Sequence, residues 1–251
     1  VRESIEIRQR IGYLGQSPHF YAHMSARETL RFALHFFYSG PSAAIEEQVA
    51  EALDLVGLTE KADRPIRGFS GGEKQRLGIA QAQIHHPELL ILDEPAAALD
   101  PFGRRDVLAI MQRLRQRTTI FYSTHLLHDV QEVSDMVVIL HKGEQISQAP
   151  IEDLLAQSSP QDVFVVIVQG DDLDGTRHRL EVQPWITSVK EVREPKSHQT
   201  TWQIAVTDET TAQARLLALI AESGAVTIVE FGRKKQDLQD IFVNLIERKN
   251  D

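Results

Sequence analysis

Two acidic residues, Asp93 and Glu94, come directly after the short apolar run Leu89–Leu92. A continuous apolar run of this length is typical of a strand that is buried on both faces of a parallel sheet. Acids at the end of such a strand lie at the sheet edge where open α/β folds bind ligands. One carboxylate there can hold Mg²⁺, and the next can orient or deprotonate an attacking water. Taken alone, the pattern also fits a solvated strand end with Pro95 forming a turn.

The run Ser70-Gly71-Gly72 stands immediately before a helical pattern that begins at Glu73. The two glycines allow the backbone to approach an anion, and a helix N-terminus offers free N–H groups to it. Ser70 adds a hydroxyl donor, whereas Glu73 would repel a phosphate if its side chain pointed toward it. The same residues also fit an ordinary glycine-containing turn in which Ser70 caps the helix.

Two further polar residues follow predicted strands. Gln16 comes after the strand-like run Arg10–Leu14, and His125 comes after the apolar run Thr118–Ser123. A histidine at a strand end can donate a hydrogen bond to a phosphate oxygen. A single glutamine or histidine at such a place is equally compatible with a structural role.

The elements that must position these residues alternate between strands and helices, which predicts an α/β fold with a doubly wound parallel sheet. Near residues 158–160 the pattern changes, and Ser-Ser-Pro there indicates a linker to a small α+β domain. We therefore predict two domains, residues 1–157 and 158–251. Helices are predicted at about 25–38, 43–56, 73–85, 103–117, 125–134, 211–223 and 238–248, and strands at 10–14, 89–92, 118–123, 136–140, 163–168, 186–192, 202–206 and 226–231.

Composition and charge limit the classes of function. The chain has no cysteine, which excludes disulfides, thiolate metal sites and cysteine nucleophiles. Its net charge of -9 argues against a nucleic-acid partner. No apolar run reaches the length of about 20 residues that a transmembrane helix needs. We expect a cytoplasmic protein, or one peripheral on the cytosolic face of the cell membrane.

The order Gln16, Ser70-Gly71-Gly72, Asp93-Glu94, Asp100 and His125 resembles the ATP-binding-cassette (ABC) family over roughly residues 10–150. The most specific matches are the segments Ser70–Leu77 and Leu92–Pro95. The resemblance implies a P-loop NTPase-like cassette with a helical subdomain, which binds ATP and Mg²⁺.

The resemblance also implies a role for each matching residue on the hydrolytic side of the site. Asp93 would hold Mg²⁺, and Glu94 would be the catalytic carboxylate. Gln16 would approach the metal and the attacking water and respond to the transport partner. His125 would contact the γ-phosphate of ATP.

A second set of matching residues would act across a dimer. By resemblance, Ser70, Gly71 and Gly72, with Glu73 in the same segment, close over the γ-phosphate of ATP bound to a second ABC subunit. Asp100 would lie at the seam between the two subunits. The other implied partners are integral-membrane permease subunits on separate chains.

The chain departs from the family pattern because neither Gly-Lys-Ser nor Gly-Lys-Thr, the end of the Walker A phosphate loop, occurs in it. In the family this loop lies upstream of the residue that Gln16 matches. We therefore expect the fold to be incomplete at the N-terminus, Val1 to mark a truncation, and the chain by itself to bind ATP poorly and not to hydrolyse it.

The closing segment Leu238–Val243 is similar to the end of ATPase subunits of ABC-2-type exporters, although it also fits any amphipathic closing helix. This similarity favours an exporter motor. Two alternatives remain. The chain could be a non-catalytic subunit that lends Ser70–Gly72 to a complete cassette, or a soluble cassette protein that acts on ribosomes or DNA.

Overall fold

The computed structural model describes residues 2–157, 162–193, 199–222, 224–234, 238–239, 241–243 and 245. The chain divides into two compact units, residues 1–135 and 136–251. The predicted domain boundary at 157/158 adjoins residues 158–161, which lie outside the described ones, and it stays a prediction. Within the described part of the chain, no helix is long and apolar enough to cross a membrane.

The first unit is a mixed α/β structure in which helices pack against a three-stranded sheet. Two short 3₁₀ turns, Thr59–Lys61 and Ile66–Gly68, lie between its third and fourth helices. Its helices and strands are α1 (Arg2–Gln9), β1 (Ile11–Leu14), α2 (Ala26–Leu34), α3 (Ser42–Leu55), α4 (Gly71–Gln83), β2 (Leu89–Asp93), α5 (Pro101–Leu114), β3 (Thr119–Ser123) and α6 (Leu127–Val133).

The sheet of this unit is parallel, as predicted, and its strand order is β1-β2-β3. Leu14 is in register with Leu92, and Asp93 is in register with Ser123. The three carboxyl ends therefore lie along one edge of the sheet. The residues that follow Leu14, Leu92 and Ser123 are consequently close to one another.

The two faces of this sheet differ in how they are covered. One face packs against helices, and its residues Leu90 and Leu92 are almost fully buried. A Cβ on Gly12 of β1 would lie 2.1 Å from the carbonyl oxygen of Ala82 in α4, so only glycine allows this approach. On the other face, Tyr13 and Phe121 are 65% and 60% exposed.

Helices α2 and α4 begin at complete capping boxes. Ser25 accepts a hydrogen bond from the N–H of Glu28, whose carboxylate accepts one from the N–H of Ser25. Ser70 and Glu73 do the same at the start of α4. The predicted helix at 25–38 ends earlier, at Leu34, because the three aromatic residues 36–38 lie exposed and no longer continue the apolar face.

Four elements were not expected from the sequence: α1, the strand Glu144–Pro150, and the helices Ile151–Gln157 and Leu173–Glu181. In α1 the only long apolar side chains are Ile5 and Ile7, and both are more than half exposed, so no apolar stripe signals the helix. The strand is rich in polar residues, and the two other helices are short.

The second unit contains a hairpin, a short helix and a four-stranded sheet. Lys142 and Gly143, both with positive φ, form the predicted turn of the hairpin. Its elements are β4 (Met136–His141), β5 (Glu144–Pro150), α7 (Ile151–Gln157), β6 (Asp162–Gly170), α8 (Leu173–Glu181), β7 (Ile186–Arg193), β8 (Thr200–Val206), α9 (Glu209–Ala221) and β9 (Val226–Arg233).

The four-stranded sheet is antiparallel with strand order β7-β8-β6-β9. The sequence of elements from β6 to β9 is βαββαβ, the arrangement of ferredoxin-like domains. Its core includes Trp202, Ile204 and Leu216, each almost fully buried. Much of the predicted closing helix at 238–248 lies outside the described residues; of the described ones, Leu238 and Ile241 are buried.

Candidate functional site

The carboxylate of Asp93 is fixed by a hydroxyl from the neighbouring strand. Ser123 donates a hydrogen bond from its Oγ to Oδ1 of Asp93 at 2.6 Å. The same Oγ accepts a hydrogen bond from the N–H of Glu94 at 3.1 Å. Ser123 therefore ties the ends of β2 and β3 together and orients the first of the two acids.

The backbone of Glu94 adopts a left-handed conformation, with φ of +49°. Such a conformation is uncommon for a residue with a side chain and typically marks a functional or strained position. The N–H of Glu94 also lies 3.2 Å from the carbonyl oxygen of Ser123. The chain thus turns sharply at the end of β2 and is held there from β3.

The side chain of Glu94 contacts His125, as proximity of the strand ends requires. Nδ1 of His125 lies 2.9 Å from Oε1 of Glu94. Because a carboxylate oxygen only accepts, the imidazole donates from Nδ1. The second oxygen of Glu94, Oε2, is buried and has no hydrogen-bond partner within the described residues. A buried acceptor of this kind requires a donor, such as a water or a bound ligand.

Gln16 lies at the same edge of the sheet, two residues beyond the end of β1, and its side chain is exposed. The structure therefore brings Asp93, Glu94 and His125 into a connected group and places Gln16 beyond the adjacent strand.

The hydroxyl of Ser70 serves as the N-cap of α4, and its oxygen accepts from the N–H of Glu73 at 3.2 Å. Gly71 is open: a Cβ there would meet no atom within 4 Å. In the described part of the chain, no hydrogen bond joins Ser70, Gly71 or Gly72 to the Asp93–Glu94–His125 group. These residues form a separate exposed helix start.

The side chain of Glu73 is 8% exposed and turned into the cap. Its carboxylate accepts hydrogen bonds from the N–H of Ser70 and from Nζ of Lys61. Burial opposes ionisation of Glu73, but these hydrogen bonds outweigh it and lower the pKa of the carboxyl below its ordinary value. Glu73 therefore remains an anion whose charge is compensated within the cap.

Asp100 caps α5 in the same way, because its Oδ1 accepts from the N–H of Gly103 at 2.7 Å. The starts of α4 and α5 are adjacent: a Cβ on Gly72 would lie 3.9 Å from Cα of Gly103. Two helix N-termini, each preceded by an exposed capping residue, thus stand side by side.

The donor set around Asp93 fits Mg²⁺. This ion is usually held by one or two carboxylates together with waters and substrate phosphates. Asp93 provides an oriented carboxylate. The adjacent residue, Glu94, adds a buried oxygen, Oε2, that has no hydrogen-bond partner among the described residues. Among the described residues no group of three or more histidine and acidic side chains forms a metal cluster.

Two contributors to the site were not recognised from the sequence. Ser123 enters the sequence analysis only as the last residue of a predicted strand, since a serine at a strand end carries no distinctive pattern. Lys61, which pairs with Glu73, lies in a short 3₁₀ turn for which the sequence predicts no element. Neither residue stands in a motif that could have indicated its contact.

A cleft of 450 Å³ opens beside the segment that follows β1. Its walls include Phe32 of α2 and Phe36 and Phe37 just after that helix, together with Gly15 and Pro18 near Gln16. Phe36 is 70% exposed and packs edge-on against Phe32, whose ring also contacts Tyr21. Contiguous exposed aromatic surface of this kind marks an interaction site.

Comparison with known proteins gives consistent results. A family model described as ABC transporter matches residues 2–97. The chain is 38% identical over 240 residues to the uncharacterized ABC transporter ATP-binding protein YxlF of Bacillus subtilis (strain 168), covering 95% of this chain and 77% of that protein. It is 31% identical over 243 residues to the bacitracin transport ATP-binding protein BcrA of Bacillus licheniformis, covering 96% and 74%. It is also 33% identical over 170 residues to the linearmycin resistance ATP-binding protein LnrL of Bacillus subtilis (strain 168), covering 67% and 54%.

Proposed function

Because the chain belongs to the family of ABC transporter ATP-binding proteins, we propose that it is the ATP-hydrolysing, energy-coupling subunit of an ABC-2-type exporter. The observation that carries this proposal is the connected group Asp93–Ser123–Glu94–His125 at one edge of the parallel sheet. This edge is where α/β folds bind their ligands.

The reaction would be the in-line attack of water on the γ-phosphate of ATP. Glu94 orients the attacking water through the buried oxygen that has no partner in the described structure, while His125 holds the other oxygen. Asp93, oriented by Ser123, would hold Mg²⁺, which neutralises charge on the phosphates when it is bound. Gln16 at the same edge completes the site.

The direction of transport is proposed from the relatives and from the tail. Two relatives are named for bacitracin transport and linearmycin resistance. The segment Leu238–Val243 is similar to the end of ABC-2-type ATPase subunits. Both features favour export of a substrate by a permease on a separate chain, with this subunit cytoplasmic and peripheral to the membrane.

A second ABC subunit would complete the nucleotide site. The exposed helix start at Ser70–Gly72 presents backbone N–H groups and the positive end of the helix dipole, which suit a phosphate, and Asp100 lies at the adjacent start of α5. They are not hydrogen-bonded to the acidic group of their own chain. In a head-to-tail dimer, these residues would act on ATP held by the partner.

We also assign the aromatic cleft beside α2 to the permease. Its walls combine aromatic rings with polar side chains, it adjoins the segment after Gln16, and an apolar helix of a membrane protein would bury Phe36 and Phe32. Phe36→Ser should weaken co-purification of a permease subunit that is co-expressed with the chain, without unfolding the chain. Phe102→Ser, at an equally exposed aromatic on α5, is the matched control. Equal recovery of the permease with both variants would contradict the assignment.

One face of the parallel sheet is left uncovered, which suggests where a segment needed for tight nucleotide binding would pack. Parallel sheets are normally covered on both faces, yet the row Tyr13–Ile91–Phe121 runs across an exposed face. We propose that a strand-and-helix segment carrying the phosphate loop packs on this face. These 251 residues alone, which lack Gly-Lys-Ser and Gly-Lys-Thr, would then bind ATP weakly.

The test of the function is hydrolysis by the chain extended with the upstream segment of its own gene or of a relative. This extended protein should hydrolyse ATP, the 251-residue chain alone should not, and Glu94→Gln should lower kcat by about 100-fold or more. The control is Glu88→Gln, an exposed acid just before the same strand, which should leave kcat unchanged. An unchanged kcat with Glu94→Gln would show that Glu94 is not the catalytic carboxylate.

A non-catalytic subunit remains the second candidate, because the exposed Ser70–Gly72 could serve a complete cassette in a heterodimer. The extended protein distinguishes the two candidates. Activity of the purified homodimer favours the enzyme, whereas activity that appears only with a second, complete subunit favours the complementing role.

A further inference from the structure

A buried ion pair connects the two helices that follow Asp100 and His125. Asp129, in the first turn of α6, is 1% exposed. Arg104, in the first turns of α5, donates from Nε to Oδ1 of Asp129 at 2.5 Å and also pairs with the same oxygen through Nη2. The second oxygen, Oδ2, is buried and has no partner within the described residues.

The position of this pair relates it to the proposed site. Arg104 lies four residues after Asp100, and its N–H donates to the carbonyl oxygen of Asp100 at 2.9 Å. Asp129 lies four residues after His125. The pair is therefore a direct link between the turn that contains Asp100 and the turn that presents His125 to Glu94.

Besides this ion pair, polar contacts reach the backbone of α6 and the residues that flank it. The helix has only seven residues, and its N-cap residue, Leu126, makes no side-chain capping bond. Thr124 accepts from the N–H of Leu126 at 3.0 Å, and the hydroxyl of Tyr122 lies 3.5 Å from the carbonyl oxygen of Asp129 and 2.6 Å from Oγ of Ser134. The carboxylate of Asp129 joins the first turn to α5 and so contributes to the orientation that sets the place of His125.

We propose that Arg104 and Asp129 are positioning residues that keep His125 within hydrogen-bonding distance of Glu94. Breaking this pair would leave the buried Asp129 carboxylate without its cation at a large desolvation cost, so the pair holds the first turn of α6 against α5. The inference rests on the proposed function, in which His125 and Glu94 act on ATP and Asp100 meets a second subunit.

The test measures the tautomer of His125 in the 251-residue chain, which needs no nucleotide. The hydrogen bond to Glu94 places the proton on Nδ1. Ring-nitrogen NMR of the chain labelled with ¹⁵N-histidine, at a pH above the ordinary histidine pKa, reports this directly. The signal of His125 is assigned by its loss in His125→Gln. Asp129→Asn should reduce the Nδ1–H population of His125 about twofold or more.

The chain contains a matched control. Arg115, the residue after α5, and Asp135, two residues after α6, also form an ion pair, but Asp135 is largely exposed. Asp135→Asn should therefore leave the tautomer of His125 unchanged. Equal effects of Asp129→Asn and Asp135→Asn would overturn the proposal.

A second variant separates positioning from folding. Arg104→Met combined with Asp129→Leu replaces the pair by apolar side chains of similar volume, which usually preserves stability. This double variant should fold, as shown by circular dichroism, and still lose the Nδ1–H signal. A folded double variant with the unaltered His125 tautomer would show that packing alone positions His125 and would overturn the proposal. Failure of the extended protein to hydrolyse ATP would remove the proposed function but would leave this result intact.

Discussion

At the residue scale, Glu73 shows how an acid can occupy a helix start that is proposed to meet a phosphate. Its carboxylate is turned into the cap of α4, where Ser70 and Lys61 donate to it. The charge is therefore compensated inside the protein, and the exposed N–H groups of the helix start remain electropositive. An uncompensated acid there would repel an anionic ligand.

This arrangement predicts a pH-dependent contribution of Glu73 to stability. A carboxyl whose pKa is lowered by folding stabilises the folded state above its unfolded pKa, and this contribution is lost as the pH falls through the folded value. Glu73→Gln should lower the free energy of unfolding by about 1 kcal/mol at neutral pH. The difference from the unaltered chain should disappear at pH values below the lowered pKa.

Urea unfolding at several pH values measures this effect. The matched control is Glu28→Gln, because Glu28 occupies the corresponding place in the capping box of α2 but has no lysine partner. Its effect should be smaller. A Glu73→Gln variant whose stability difference persists unchanged in acid would contradict the role given to the carboxylate charge.

At the element scale, the approach of β1 to α4 positions the strand that leads to Gln16. Gly12 makes this approach possible because a Cβ would meet both the carbonyl oxygen of Ala82 and the side chain of Leu90. The register of β1 with β2 then places the end of β1 beside Asp93.

Gly12→Ala should therefore lower the free energy of unfolding by about 3 kcal/mol, since neither backbone can move without disturbing the sheet. Gly71→Ala should change it by less than about 0.5 kcal/mol, because open space surrounds the added methyl group. Thermal or denaturant unfolding compares the two variants. Similar losses in both would show that β1 and α4 are not closely packed in solution.

Apolar patterning was sufficient to predict α2, α3, α4, α5 and the parallel strands. The four helices each bury an apolar face, whereas β3 is only partly buried although its sequence is typical of a buried strand. The pattern could not predict α1, whose isoleucines are exposed, the short helix α7, or β5 and α8, whose sequences are largely polar. In these segments tertiary contacts, rather than local pattern, select the structure.

The candidate site was also predicted only in part. The ends of β2 and β3 indicated that Asp93, Glu94 and His125 would be neighbours, since parallel strands end at a common edge. The pairing of Arg104 with Asp129 could not be predicted, because helical periodicity does not indicate which charged side chains of two helices face each other. The hydroxyl of Ser123 was overlooked for want of any pattern.

At the scale of the whole molecule, each of the two compact units has a core of its own. Both tryptophans of the chain, Trp185 and Trp202, belong to the second core. Tryptophan fluorescence therefore reports the second unit, whereas circular dichroism reports both units. Comparing the two signals shows whether a substitution in the first unit unfolds that unit alone or also affects the second.

Residues 136–251 should fold when they are produced alone. The βαββαβ sheet buries Trp202 and the apolar faces of α8 and α9 within its own unit. We expect blue-shifted tryptophan emission and a cooperative transition with a free energy of unfolding of about 5–15 kcal/mol. Trp185→Phe controls for the contribution of the less buried indole. Emission typical of water-exposed tryptophan without a cooperative transition would contradict independent folding.

Under the proposed function, the left-handed backbone at Glu94 bears on the rate of hydrolysis rather than on nucleotide binding. The turn costs conformational energy during folding, so the carboxylate is aimed before any nucleotide arrives. Little reorganisation of the protein then has to accompany bond breaking, which is the condition under which fixed charges lower an activation barrier most. Glu94→Gly would release this strain and remove the carboxylate at the same time.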